Sequence, residues 1–322
     1  MENTTKRIAR YSAFEKRKFP FVYLLIAFPV LQFIVFWVVV NISSLTYAFL
    51  NEETGNFTFD HFGLVFEALK GPTDSNLDVS LLDTMLRSMF LWALDFFILF
   101  PIGVTTTYIL YRRVWGHYVF RICYIIPSLM GAVLWTQLMV YLVQDNGAVT
   151  EIVRMLDFLP EELGDLENGL LGYELTAFPT IVCIKIVMGL VGNNAVLTGA
   201  FSRVPDEIYE SAELDGAGFW RTYVSIAVPC VWSTIATLLT FSLCSFLTAD
   251  YNVFLFTGGM GHNGTSTIGW LLYAKTLEVS RSDGVAYYGY PAALGVFLTC
   301  LTLPVVLIGR KLIDRIYADV EI

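Results

Sequence analysis

The chain has little charge for its length. Asp, Glu, Lys and Arg together make up 15% of its 322 residues, whereas soluble globular proteins average about 25%. Apolar residues make up 56% and the mean hydropathy is +0.61. No stretch between the apolar runs has enough chain or apolar content for a separate soluble core. The composition therefore indicates one membrane-embedded domain rather than a set of soluble domains.

Residues that carry redox, metal or catalytic chemistry are scarce. The five cysteines lie in apolar runs without C-x-x-C spacing, so neither a disulfide framework nor a zinc site is expected. His61, His117 and His262 each lack a partner at metal-ligand spacing. The sequence therefore predicts that the chain is not an enzyme and carries no catalytic residue, metal or cofactor.

Long apolar runs are abundant, and six of them exceed the ~20 residues that a membrane-spanning helix needs. The predicted spans are residues 19–47, 88–111, 122–143, 175–202, 226–249 and 284–309. Prolines within these runs are tolerated because neighbouring spans satisfy the carbonyl groups that they free. The sequence thus predicts an all-α integral membrane protein, a six-helix bundle (19–309) between an N-terminal segment (1–18) and a C-terminal tail (310–322).

The basic residues predict the orientation of these spans, because Lys and Arg concentrate in cytoplasmic loops. With the N-terminus inside, the inner segments hold fourteen of them and the outer loops five. Both termini and the segment 203–229 are therefore predicted to be cytoplasmic. The first run is much longer than a signal sequence and has no small-residue cleavage site, so it is predicted to stay as the first span.

A polar, acidic segment, Pro205–Pro229, separates two of the longest apolar runs. Pro205 is suited to the start of a helix, and Gly216 favours its end. Asp206, Glu210 and Glu213 then share one helical face. The charge pattern alone leaves two interpretations, a solvated acidic face or a projection that docks in a basic pocket.

The spacing within this segment resembles the EAA loop of binding-protein-dependent ABC importer permeases. The resemblance rests on Glu210-Ser211-Ala212, Gly216, Ile226 and Val228-Pro229. Ser211 and Val228 stand where Ala and Leu are usual. The resemblance implies a type I importer permease fold in which this loop, 203–229, forms a coupling helix on the ATPase. The implied coupling residues are Asp206, Glu207, Glu210, Ser211, Ala212, Asp215 and Gly216.

Weaker similarities to maltose-type carbohydrate permeases extend over nearly the whole chain, for example at Tyr47-Ala48-Phe49, Phe256-Thr257-Gly258-Gly259 and Tyr290–Leu294. They imply import of a sugar through a prokaryotic cell membrane. The implied partners are a second six-span permease, an ATPase dimer that binds ATP and Mg, an extracytoplasmic sugar-binding protein and membrane lipid. No nucleic acid is expected.

Two ionisable residues, Asp95 and Lys185, lie inside predicted spans. Such residues are costly in a membrane and are functional candidates. Their depths differ by roughly 5 Å at the helical rise per residue, which a lysine side chain can bridge. Either they form an ion pair, or one of them lines the path of the substrate.

Sugars bind through polar groups and through stacking on aromatic rings, so polar and aromatic residues midway along the spans are candidates for the substrate path. This criterion selects Trp135, Gln137, Asn193, Asn194, Tyr251 and Asn252. The resemblance to maltose-type permeases adds Ser128, Ala132, Lys185, Met188, Gly189, Gly192, Phe246 and Ala249. Several of these differ in type from the family's residues, which leaves open how much of the substrate this subunit contacts.

Two alternative functions are less well supported by the sequence. An importer for glycerol phosphate or another polar solute would favour several basic residues in the path, but the spans contain Lys185 alone. An ion-coupled secondary transporter would carry coupling carboxylates in both halves of the chain, and the spans contain only Asp95. The sugar importer is therefore preferred.

Overall fold

The computed structural model describes residues 23–51, 54–71, 80–112, 116–156, 169–189, 194–248, 253–257, 264–281 and 288–316. Within these ranges the regular elements are helices, apart from one isolated bridge between Leu50 and Phe57. The predicted segment 1–18 lies outside the described residues, as does the tail after Ile316. The chain divides into two compact units, Met1–Gly63 with Tyr287–Val296 and Leu64–Ala286 with Phe297–Ile322.

The helices in chain order are α1 (Tyr23–Phe49), α2 (Asp60–Lys70), α3 (Leu81–Tyr111), α4 (His117–Leu129), α5 (Ala132–Val143), α6 (Ala148–Met155), α7 (Glu174–Gly189), α8 (Asn194–Phe201), α9 (Asp206–Leu214), α10 (Phe219–Cys230), α11 (Trp232–Cys244), α12 (Val253–Phe256), α13 (Ile268–Arg281) and α14 (Gly289–Ile316).

Three of the described helices, α1, α3 and α14, are long and apolar enough to cross a membrane. The bent pair α10 and α11 is a fourth if it is counted as one span. The predicted all-helical class is thus confirmed for the described residues, whereas the count of six spans stays a prediction.

The helices differ in their bounds from the apolar runs. The run 122–143 forms two helices, α4 and α5, because Gly131 adopts an extended conformation and caps α5. The run 226–249 is bent by 75° between α10 and α11, two residues after Pro229, which cannot donate a helical hydrogen bond. Helices α3 and α14 extend beyond their runs, since polar residues at the ends of a span also form helix. The membrane limits of the spans stay predictions.

In the first unit, α1 is exposed along most of its length, and Ala48 near its end is its one buried residue. The turn that follows is fixed by the Leu50–Phe57 bridge and by His61, whose Nε2 lies 3.2 Å from the Leu50 carbonyl oxygen. Phe49 packs among the rings of three other aromatic residues, Phe57, Phe59 and Phe62.

In the second unit, five helices meet in one buried cluster, which we call the elbow core because it surrounds the bend between α10 and α11. Its buried helical members are Val104 and Tyr108 of α3, Leu197, Ala200 and Phe201 of α8, Tyr209 of α9, Ala227 of α10 and Ile235 of α11. Two residues between helices, Val204 and Val231, complete it. This core fixes the short acidic helix α9 to the long helices around it.

Candidate functional site

The acidic helix α9 has well-defined ends. Pro205 occupies its N-cap, one residue before the helix begins, and Asp206 and Glu207 lie in the first turn, where carboxylates favour the helix dipole. At the other end Gly216 has φ +76°, a left-handed conformation that glycine adopts without steric cost. The Ala217 amide donates to the Ala212 carbonyl at 2.9 Å and closes a Schellman motif. The sequence signals for this helix are therefore local ones.

The predicted coupling residues divide between two faces of α9. Of the predicted residues, Ala212 is buried. Tyr209, which the sequence did not predict as a coupling residue, is buried beside it. The other predicted residues are exposed, namely Asp206, Glu207, Glu210, Ser211, Asp215 and Gly216. Leu214 is 89% exposed beside them. The buried face anchors the helix, and the exposed face presents carboxylates around an apolar side chain.

Tyr209 is the centre of the anchored face. Its ring is within 6.5 Å of the Tyr108 ring and 6.2 Å of the Tyr111 ring, both on α3. Burial raises the pKa of the Tyr209 hydroxyl, so this group is neutral at physiological pH. The hydroxyl has no hydrogen-bond partner in the described part of the chain. The contacts that anchor α9 at this position are therefore those of the Tyr209 ring.

Arg112 joins α9 to the C-terminal end of α3. Its guanidinium forms an ion pair with Glu213 and lies 4.9 Å from the centre of the Tyr209 ring. Sequence reasoning placed Arg112 only among the inner basic residues, because its partners are about a hundred positions away and no local pattern links them.

A cavity of about 500 Å³ lies within the second unit, away from α9. Its polar lining comes from Asp95, Lys185, Ser242 and Ser245. Its apolar lining includes Leu99, Phe100, Ile181, Met188, Leu197, Leu238, Phe241 and Phe256. The cavity therefore offers hydrogen-bonding groups and aromatic surface, the two kinds of contact that a sugar ring uses.

The structure brings Asp95 and Lys185 together at this cavity. Lys185 Nζ lies 3.2 Å from Asp95 Oδ1. Asp95 begins a π-helical turn, Asp95–Leu99, within α3, and such turns are frequent at functional sites. The pair supplies one positive and one negative group, so its net charge is zero.

Other predicted path residues are distributed unevenly. Met188 and Gly189 line the cavity, and a Cβ atom at Gly189 would lie 2.5 Å from Leu99 Cδ1, so α7 and α3 approach closely there. Trp135 packs near Met139 and Ile184, and Phe246 packs edge-on against Trp92 at 4.7 Å; neither is among the residues that line the cavity.

Of the remaining predicted path residues, Ser128 lies in α4 and Ala132 is the first residue of α5. Gly192, Asn193, Ala249 and Asn252 lie outside the described residues.

Sequence reasoning missed Ser242 and Ser245 in the cavity wall. They are three residues apart, at the end of α11 and just beyond it, within an apolar run. That spacing puts two hydroxyls on one helical face and is a signal that a search for polar stripes would find. Ser242 Oγ has no hydrogen-bond partner within the described ranges.

No group of three or more His, Cys, Asp or Glu side chains suited to a metal ion occurs among the residues that the structure describes. The site thus consists of two parts: an anchored acidic helix with an exposed charged face, and a cavity with a paired lysine and aspartate.

These features are those of a membrane subunit of a transporter, and comparison with known proteins gives the family. The family model "Binding-protein-dependent transport system inner membrane component" matches residues 99–320. The chain belongs to this family, which confirms the resemblance found in the sequence. The match covers more than half of the chain, including α9, Lys185 and the serines of the cavity.

Several curated relatives are named as sugar permeases. The diacetylchitobiose uptake system permease NgcF of Streptomyces coelicolor is 30% identical over 56% of this chain and 48% of its own length. The multiple sugar-binding transport system permease MsmF of Streptococcus mutans is 27% identical over 41% of this chain and 44% of its own length. Matches of this kind span about half the length of these relatives.

A solved structure shows the fold. A chain of a bacterial ABC transporter involved in the import of the acidic polysaccharide alginate superposes with a TM-score of 0.73 and 21% identity, over 95% of this chain and 99% of that one. The same type of transporter in complex with an alginate pentasaccharide-bound periplasmic protein gives a TM-score of 0.71 and 19% identity. The predicted permease fold is confirmed at this level.

Proposed function

We propose that this chain is the permease subunit of an ATP-driven importer that moves a sugar or oligosaccharide into the cell. The observation that carries the proposal is the two-faced geometry of α9, with Tyr209 and Ala212 buried in one face and Glu207 and Glu210 exposed on the other. A short helix whose buried face is packed against the bundle and whose exposed face is charged is suited to transmit a rigid-body displacement from a partner protein to the bundle.

In this mechanism α9 is the coupling helix. Its exposed carboxylates dock in a basic pocket of an ATPase dimer, which binds ATP and Mg and supplies the chemistry of hydrolysis. Closure of the dimer displaces α9, and the elbow core moves the long helices with it. A second six-span permease completes the path, and an extracytoplasmic binding protein delivers the sugar. The orientation that puts α9 in the cytoplasm follows from the distribution of Lys and Arg.

The cavity is the proposed substrate path of this subunit. Lys185 donates and Asp95 accepts hydrogen bonds, and the serine hydroxyls do both, so the lining suits a ligand with many hydroxyl groups. Phe241 and Phe256 offer apolar faces for the C–H surfaces of a sugar ring. The names of the sugar-uptake relatives support the same substrate class.

The alternative substrate, glycerol phosphate or another polar solute, is less well supported. A phosphate needs an excess of positive charge, and the ammonium of Lys185 is already paired with Asp95. An ion-coupled secondary transporter is supported by no feature of the described cavity, whose carboxylate is engaged in the same pair.

The test of the coupling role is the substitution Glu210→Lys in the full chain, expressed together with its proposed partner permease, ATPase and binding protein. Uptake of radiolabelled sugar and copurification of the ATPase are both expected to be lost, because a positive charge would face a basic pocket. The matched control is Glu67→Lys, the same change on the exposed face of α2. If Glu210→Lys leaves both uptake and assembly intact, α9 is not the coupling helix.

The substrate is identified separately. The cognate binding protein is purified and its melting temperature is measured with a panel of neutral and acidic oligosaccharides, since a bound ligand raises it. Stabilisation by sugars would support the proposal. Stabilisation only by phosphorylated or non-carbohydrate solutes would overturn it.

A further inference from the structure

We propose that Arg112 is a positioning residue that holds the coupling helix α9 in fixed register with α3, the helix that carries Asp95. The inference rests on the proposed function, in which α9 receives motion from the ATPase. It goes further by assigning one side chain as the link through which that motion enters a particular long helix.

The link consists of two contacts made by one guanidinium group. Arg112 forms an ion pair with Glu213 and also lies over the ring of Tyr209. Glu213 and Tyr209 are four residues apart on α9, so they follow one another along the same side of the helix. Two contacts spaced along a helix resist both its sliding and its rotation more strongly than a single contact does.

The ends of both helices favour a cation at this point. Arg112 caps the C-terminus of α3, and Glu213 precedes the last residue of α9. Each C-terminus carries partial negative charge, which disfavours the carboxylate of Glu213 and favours the guanidinium of Arg112. Lysine could supply the charge but not the planar group that stacks on a ring and pairs with a carboxylate at once.

We call the contacts of Arg112 with Glu213 and Tyr209 the clamp, and α3 is continuous from this clamp to the cavity. Helix α3 runs without a break from Leu81 to Tyr111. The helical rise puts Asp95 about 25 Å from Arg112. A displacement of α9 that is held by Arg112 is therefore delivered along α3 to the ion pair of Asp95 with Lys185. Apolar packing in the elbow core keeps α9 attached, but it lacks the directional contacts that fix its register.

The experiment measures the distance between α9 and α3 directly. Spin labels are placed at Ala217→Cys, just beyond the C-terminal end of α9 and outside its exposed acidic face, and at the exposed position Ile102→Cys, in a full chain whose five native cysteines are replaced by alanine. The chain is purified with its partner subunits. Distance distributions are recorded without nucleotide and after trapping with Mg-ATP and vanadate. In the parent protein we expect one narrow distribution that is the same in both states, because the two helices move together.

Arg112→Gln is expected to widen this distribution about twofold and to make it differ between the two states. Arg112→Lys should fall between Gln and the parent, and the exchange Arg112→Glu with Glu213→Arg should recover at least part of the narrowing. The matched control is Arg310→Gln, which removes an exposed cation that pairs with Asp314 on α14. Its distribution should stay narrow.

An Arg112→Gln distribution as narrow as the parent's in both states would overturn the proposal, as would equal widening in Arg310→Gln. Failure of the coupling role itself is distinguishable. If Glu210→Lys keeps both uptake and the ATPase, the coupling role of α9 fails whatever the distances show, whereas loss of both in Glu210→Lys with unaltered distances in Arg112→Gln would refute only the role of Arg112.

Discussion

Helix α3 has one ion pair near its middle and another just beyond its C-terminal end, and the two pairs lie in different surroundings. Asp95 pairs with Lys185 in the cavity, with side chains 35% and 20% exposed. Arg112 pairs with Glu213 of α9, with side chains 26% and 59% exposed. One pair lies within a predicted span and the other at a predicted membrane surface.

The different surroundings predict different roles for the two pairs, one in stability and one in the register of α9 with α3. Water can replace either partner of a surface pair, so such pairs contribute little stability. In a span, water is scarce and a lone charge is costly, so loss of Lys185 leaves the carboxylate of Asp95 without its paired cation. The cavity pair should therefore affect stability strongly, and the pair at α9 should affect mainly motion.

The largest effect is expected from breaking the cavity pair. Lys185→Met or Asp95→Asn alone should lower the stability of the purified subunit by about 2–3 kcal/mol, less than for a fully buried pair, because the partly buried side chain that remains loses its charged partner. The double variant should recover most of the loss. Thermal melting in detergent measures both. A double variant no more stable than the singles would show that the two residues are not energetically coupled.

The cavity wall near this pair should also tolerate little extra volume. Gly189→Ala is expected to cost about 1–3 kcal/mol, since the new methyl group would overlap the buried side chain of Leu99. Gly199→Ala on α8 is the matched control, because a Cβ atom there meets nothing within 4 Å. It should be neutral or stabilising. Equal effects at both glycines would mean that the close approach of α7 and α3 does not limit the cavity.

The contribution of each ion pair to stability should depend differently on salt concentration. Glu213→Gln is expected to lower stability by about 0.5 kcal/mol at low ionic strength, and by less in 0.5 M NaCl, because exposed charges are screened. The loss caused by Lys185→Met should change little over the same range. Melting curves of both variants at two salt concentrations provide the measurement. A salt-independent Glu213→Gln effect would contradict a surface pair.

The sequence predicts some of this comparison and not the rest, for physical reasons. Asp95 and Lys185 are visible because charge within an apolar run is costly, and helical rise makes their pairing one of two alternatives. The ends of α9 are visible because Pro205 and Gly216 act locally. The contact of Arg112 with Glu213 depends on how distant segments pack, and no local pattern encodes it. The burial of Ala212 likewise follows from the neighbours of α9 rather than from α9 itself.

The smallest effect is expected at the ring of the clamp. Tyr209→Phe should change stability by less than about 0.5 kcal/mol, because the hydroxyl has no hydrogen-bond partner among the described residues and the ring that faces Arg112 is kept. Tyr209→Leu removes the aromatic face and should widen the distance distribution between α9 and α3. If Phe and Leu behave alike at this position, Arg112 is held by Glu213 alone, and the clamp has one contact instead of two.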